Sequence, residues 1–241
     1  MTRLLTLLLT VVAPLSLWAG PSLPEIERYR AILQLIQVAD GPRSMQPLFD
    51  AAQAVQSAVM QIDESDYAWL EHLSDKEAAE LQSALFGLTL HRGLDVHAEV
   101  DGAALLALAN ERGQPVDQAF FQRFATAFNQ QSLPLYLAFT DRASPCVRFD
   151  QPTLLTGQYR DWSAFRQAHP DAYVAFVSQW LSDIEDVIAQ GTCTCTQDQA
   201  PVEATMAQFV EQFPQTPLRN ETLARLQQLK DRPYEKPVWC R

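Results

Sequence analysis

Residues 45–62 read MQPLFDAAQAVQSAVMQI, and their spacing decides the fold. Met45, Leu48, Ala52, Val55, Val59 and Ile62 succeed one another at alternating steps of three and four, which gathers the apolar groups on one face of an α-helix. The same period extends in both directions. Upstream, Ser22-Leu23-Pro24-Glu25 has capping-box spacing ahead of Ile26, Tyr29, Leu33 and Ile36, a helix that Asp40-Gly41-Pro42 ends. Downstream, Tyr67 to Leu73 reads as a short helical turn. Ser74-Asp75-Lys76-Glu77 is a second capping box, opening a helix through Leu81, Leu85 and Leu88 that stops at Gly93.

Asp101 and Asp117 are candidate caps for two further helices, separated by Gly113 and Pro115, the second bearing Phe120, Phe121, Phe124 and Phe128. Between Leu133 and Phe149 the run Leu135 to Phe139 suits either a strand or a buried helix. Helices resume around Leu154 to His169, then with Tyr173, Val177, Trp180, Ile184 and Val187 before Gly191. Val202, Met206, Phe209 and Phe213 mark another, and Leu223, Leu226 and Leu229 a last one capped by Asn220. With 8 glycines in 241 residues, the expected fold class is mainly α. That means a multi-helix globular bundle with at most a small β element near residues 133–149.

A composition 47% hydrophobic and 20% charged is that of a globular chain. Lys plus Arg number 18 against 29 Asp plus Glu, and this acidic surplus excludes a nucleic-acid binder, which needs clustered cations to neutralise phosphates. Residues 1–19 read as a cleaved secretion signal: Arg3, an apolar run from Leu4 to Val12, Pro14, and a small-residue exit at Ala19-Gly20. The apolar stretch is about 14 residues, short of the roughly 18 to 20 that span a bilayer. A periplasmic or secreted protein with no stable membrane span is therefore expected.

Cys146, Cys193, Cys195 and Cys240 agree with that destination, being an even number in an exported chain. A bridge inside Cys193-Thr194-Cys195 would close a strained ring, so Cys146 and Cys240 are each expected to pair with one member of the Cys-x-Cys. All four lie beyond residue 145, which suggests an acidic N-terminal lobe, 20–140, and a stapled C-terminal lobe, 141–241.

The sequence holds no nucleophile elbow, phosphate-binding Gly-rich loop, His-Glu-x-x-His or EF-hand pattern. His91 and His97, with Asp95 and Glu99, lie within nine residues around an expected helix end, but their spacing fits no short metal motif. No metal and no cofactor are expected. Neighbouring acids such as Asp183, Glu185 and Asp186 cannot face one another across the roughly 5 to 9 Å cleft that glycoside cleavage needs. Tyr159, Arg160, Asp161 and Trp162 form the densest aromatic and charged mixture and serve as an alternative pocket. Their simpler reading is a helix cap at Asp161 with the aromatics turned inward.

The segment Asp63 to Glu80 stands out. Its 18 residues carry seven acids against the single base Lys76, with Tyr67 and Trp69 embedded among them. Aromatic anchors ringed by acids suit a docking surface for a cationic protein, since the rings supply burial and the acids steer encounter. Asp63, Glu64, Asp66, Tyr67, Trp69, Glu71 and Asp75 are the candidate partner-binding residues.

The expected function is an exported protein-binding or inhibitory module with a basic protein partner. Immunity proteins that neutralise cell-wall- or lipid-degrading toxins, and inhibitors of cationic lysozymes, share this general description. The competing class is a periplasmic hydrolase of unrecognised type, with its site in the cleft between the lobes around Tyr159 to Trp162.

Overall fold

The computed structural model describes residues 23–62, 67–93, 96–128, 133–139, 145–190, 194–196 and 198–231. Among these the chain is mainly α, with nine α-helices and two small antiparallel sheets. It divides into two compact units: residues 23–38 with 47–101, and residues 39–46 with 102–231. The helices over Gly102–Arg112 and Pro115–Phe124, although they precede residue 140, thus belong to the second unit. Residues 39–46 join it because Arg43 pairs with Gly113, its amide donating to Arg112 O at 2.8 Å.

The first unit opens with α1, Pro24–Gln37, whose buried residues are Ile26, Tyr29, Leu33 and Ile36. Its N-cap is Leu23 without a side-chain cap bond, so the helix starts on Pro24, whose fixed φ and missing N–H suit the first turn. Ser22 lies outside the described residues. Helix α2, Gln46–Val59, buries Leu48, Ala52, Val55 and Val59 completely. The stripe ends at Val59, one stripe position early: Ile62 is 69% exposed, because the chain has left the helix and pairs instead with Ala68.

After a 3-10 turn, Trp69–His72, comes α3, Asp75–Ala84. Its capping box forms as expected: Glu77 N donates to Ser74 Oγ at 3.3 Å and Ser74 N to Glu77 Oε2 at 2.8 Å. The helix does not continue to Gly93. Gly87 adopts φ 80°, open to glycine at little steric cost, and Leu88–His91 becomes strand β1, paired with β2, His97–Val100. The leucine spacing misled because Leu81, Leu85 and Leu88 are all buried on either side of that turn.

In the second unit, α4, Gly102–Arg112, meets α5, Pro115–Phe124, at Gly113, where a Cβ would lie 2.7 Å from Ala109 O. Asp117 is the third residue of α5 rather than a residue preceding it, and it caps from there: Gln114 N donates to Asp117 Oδ2 at 2.8 Å. Among the described residues between Leu133 and Phe149, a two-residue pair forms, β3, Leu137–Ala138, against β4, Cys146–Val147.

Helices α6, Pro152–Ala168, α7, Val174–Gln190, α8, Gln199–Gln212, and α9, Arg219–Asp231, complete the unit. Asn220 sits inside the first turn of α9 rather than capping it. The core is aromatic: Phe120 stacks on Tyr173 at 3.6 Å and meets Trp162 and Phe165 edge-on at 5.5 and 5.8 Å. Cys146 and Cys195 form a disulfide with Cα atoms 4.9 Å apart, and Cys195 N donates to Val147 O beside it. Cys193 and Cys240 lie outside the described residues.

Candidate functional site

The candidate partner-binding segment lies in the first unit. Ile62 and Ala68 form an antiparallel bridge, reinforced by Trp69 N donating to Gln61 O at 3.1 Å. Asp63, Glu64 and Asp66 themselves lie outside the described residues. Beside the bridge Tyr67 is 56% exposed, its ring edge-on to His72, with centroids 6.2 Å apart. Trp69 is half-buried, and the next residue, Leu70, is buried completely. Tyr67 therefore does not pack inward, and with Ile62 it presents apolar surface to solvent.

The acids have local duties as well as charge. Glu71 reaches back to accept from Ala68 N at 2.7 Å, tying the first turn of the 3-10 segment, and its residue stays exposed. Asp75, fully exposed, pairs with Arg92 at 3.1 Å, while the second guanidinium nitrogen donates to Leu73 O at 2.5 Å. Glu71, Asp75, Arg92, Gly93 and Val96 line one open polar depression. Two of the candidate acids are thus brought together with the end of the β1–β2 hairpin. Glu77 is taken up by the cap, and bonding to Ser74 holds its carboxyl below the usual range.

The hairpin carries a group that the helical reading misplaced. His91 stands directly opposite His97, and Thr89 opposite Glu99. Because side chains alternate along a strand, His91, Thr89, His97 and Glu99 share one face while Leu88, Ala98 and Val100 are buried on the other. The imidazoles stack at 4.5 Å and 14°, and His91 Nε2 lies 3.1 Å from Glu99 Oε2. Asp95 lies outside the described residues. These histidines are on paired strands, not at a helix end. Their spacing of six, meaningless on a helix, leaves five residues between the two strand ends that set them face to face.

The alternative pocket does not assemble as one surface. Asp161 is in the middle of α6, not at its start. Tyr159 and Trp162 are buried, 4% and 1% exposed, while Arg160 and Asp161 face solvent as a loose pair 3.7 Å apart. Tyr159 Oη donates to Glu185 Oε1 at 2.5 Å, and its ring packs on Phe209 and Phe213. Burial, with help from that acceptor, pushes the Tyr159 phenol up to about 12. Helical period explains the split, since residues three apart share a face and the two between them do not.

No protein-family model, no curated protein and no solved structure matches this chain.

Proposed function

We infer that the chain is an exported binding or inhibitory module that docks a basic protein through the segment around Ile62 to Asp75. The observation that carries this reading is the exposure of Ile62 and Tyr67, 69% and 56%, at the base of the most acidic stretch of the chain. Solvent-facing aromatic and aliphatic side chains supply the desolvated centre of an interface, and surrounding carboxylates supply its electrostatic rim. The exposed carboxylate of Asp75, paired with Arg92, and the half-buried ring of Trp69 belong to the same segment. Export to an oxidising compartment is supported by the Cys146–Cys195 disulfide. In this reading the partner is a cationic cell-wall- or lipid-degrading enzyme or toxin, held as immunity and inhibitor proteins hold theirs.

The test places a photocrosslinking amino acid at position 67 in producing cells, with a control at Leu223, itself 39% exposed but in the second unit. One basic protein captured at 67 and absent at 223 is expected. With that protein purified, Tyr67→Ala should weaken binding tenfold or more, about 1.4 kcal/mol, and added salt should slow association. Equal capture at both positions, an acidic partner, or unchanged affinity in Tyr67→Ala would overturn the reading.

A further inference from the structure

The geometry points to a binding site for a divalent transition-metal ion of the zinc class on the outer face of the β1–β2 hairpin, with His91, His97 and Glu99 as its protein ligands. One potential ligand atom from each of the three lies within 4.8 Å of the others, and His91 Nε2 and Glu99 Oε2 are already 3.1 Å apart. Metal bonds of about 2.1 Å at the tetrahedral angle put ligand atoms about 3.4 Å from one another. The widest separation must therefore close by roughly 1.4 Å. Rotation about the side-chain bonds of these partly exposed residues is the movement the site requires.

The ligand set selects the class of ion. Two imidazoles and one carboxylate suit zinc, copper, nickel or cobalt, whereas calcium and magnesium take oxygen ligands throughout. Three protein ligands would leave a coordination position open toward solvent on this face. That arrangement is the one in which a bound ion can also take water or a group from outside the chain.

The scaffold holds the three residues in register from both sides. The Gln82 amide, on α3, donates to Leu88 O at 2.8 Å and accepts from Leu90 N at 2.7 Å, occupying the free edge of β1. Gln56, on α2, donates to Ala98 O at 2.9 Å and fastens β2. Arg92 ties the hairpin end to Leu73 and Asp75. Ligands on strands so anchored are preorganised, and a site that needs no folding of its own binds without that entropic penalty.

The inference is independent of the docking reading, since the two rest on different residues. The test titrates Zn²⁺ into the untagged, oxidised, chelator-treated chain by calorimetry, with Co²⁺ absorption as a second readout. One Zn²⁺ per chain is expected, with visible Co²⁺ bands of low-coordinate character and no competition from Mg²⁺ or Ca²⁺. His91→Ala and His97→Ala should each lower the affinity tenfold or more, and the shape-conserving Glu99→Gln should lower it too. The last variant keeps the proposal falsifiable if a histidine variant fails to fold. His72→Ala and His169→Gln, which change histidines outside the proposed ligand set, should bind as the wild type does. Absence of Zn²⁺ binding, or wild-type affinity in folded His91→Ala, His97→Ala or Glu99→Gln, would overturn the proposal.

Discussion

Tyr173 donates its phenolic proton to Asp117 Oδ1 across 2.6 Å inside the second unit, where the tyrosine is 2% exposed and the aspartate 0%. The other carboxylate oxygen accepts from Gln114 N, so both oxygens of a completely buried acid are satisfied. Tyr173 holds φ at 52°, the left-handed region, to present its ring there. Backbone in that region costs on the order of 1 kcal/mol or more, which the stacked ring and the hydrogen bond offset.

Tyr173→Phe keeps the stack on Phe120 and removes the donor, leaving a buried carboxyl oxygen short of a partner. A loss of about 2 to 3 kcal/mol is expected, because hydrogen bonds to such groups contribute more than neutral ones. Urea denaturation of the variant against the wild type measures it. A change under 0.5 kcal/mol, as an order of magnitude for a neutral surface substitution, would show that water replaces the hydroxyl.

The disulfide between Cys146 and Cys195 closes a span of 49 residues. Loop entropy assigns such a crosslink about 4 kcal/mol. The double variant Cys146→Ala, Cys195→Ala should lower the denaturant midpoint accordingly, and a reducing agent should lower the wild-type midpoint by at least as much.

Gln82→Ala should loosen the hairpin specifically. It strips Leu88 O and Leu90 N of their partner at once. About 1 to 3 kcal/mol of stability should go with it. Faster hydrogen exchange at the Leu90 amide, with exchange in α6 and α7 unchanged, is the expected pattern, whereas uniform acceleration would mean global rather than local opening.

Acid should weaken the α3 cap. Bonding to Ser74 lowers the Glu77 pKa in the folded state from 4.5, so the charged form is favoured by folding. That contribution is present above the unfolded value and disappears as pH falls through the lower folded value. Glu77→Gln should therefore flatten the acid limb of a stability–pH profile, and an unchanged slope would show that the cap makes no electrostatic contribution.

Alkali acts on the tyrosines with the opposite sign. Burial raises the phenols of Tyr29 and Tyr136, and Tyr159 rises to about 12. Stability tied to these neutral groups is intact below pH 10, the ordinary tyrosine value, and is lost as pH climbs toward the raised values. An ultraviolet titration should show these three ionising late, together with unfolding. Ionisation of all phenols near pH 10 in a still-folded chain would contradict their burial.

Much of this architecture was legible in the residue order. The stripes from Ile26 to Ile36 and from Met45 to Val59 and the heptad-like spacing through Val177, Trp180 and Ile184 are local periodic signals that each form the expected helix, and the cap at Ser74 and Glu77 starts one that ends at Ala84, short of the expected Gly93. The hairpin was hidden for a physical reason. Leu81, Leu85 and Leu88 repeat at helical steps, but a glycine with positive φ at Gly87 reverses the chain and still buries all three. One misread turn moved His91 and His97 from a strand pair to a supposed helix end.

The candidate docking segment divides in the same way. Its charge and its aromatic residues are properties of composition, so the sequence alone identified them. Whether Tyr67 faces inward or outward depended on the ladder that Gln61 and Ile62 make with Ala68 and Trp69. By itself the sequence determined the helices, the acidity and the pool of cysteines, because each follows from short-range spacing or from counting. Tertiary structure alone decided that Cys195 meets Cys146, that Tyr173 reaches Asp117, and that two histidines and a glutamate share one strand face. Those relationships join residues that only chain reversal brings within a few ångströms.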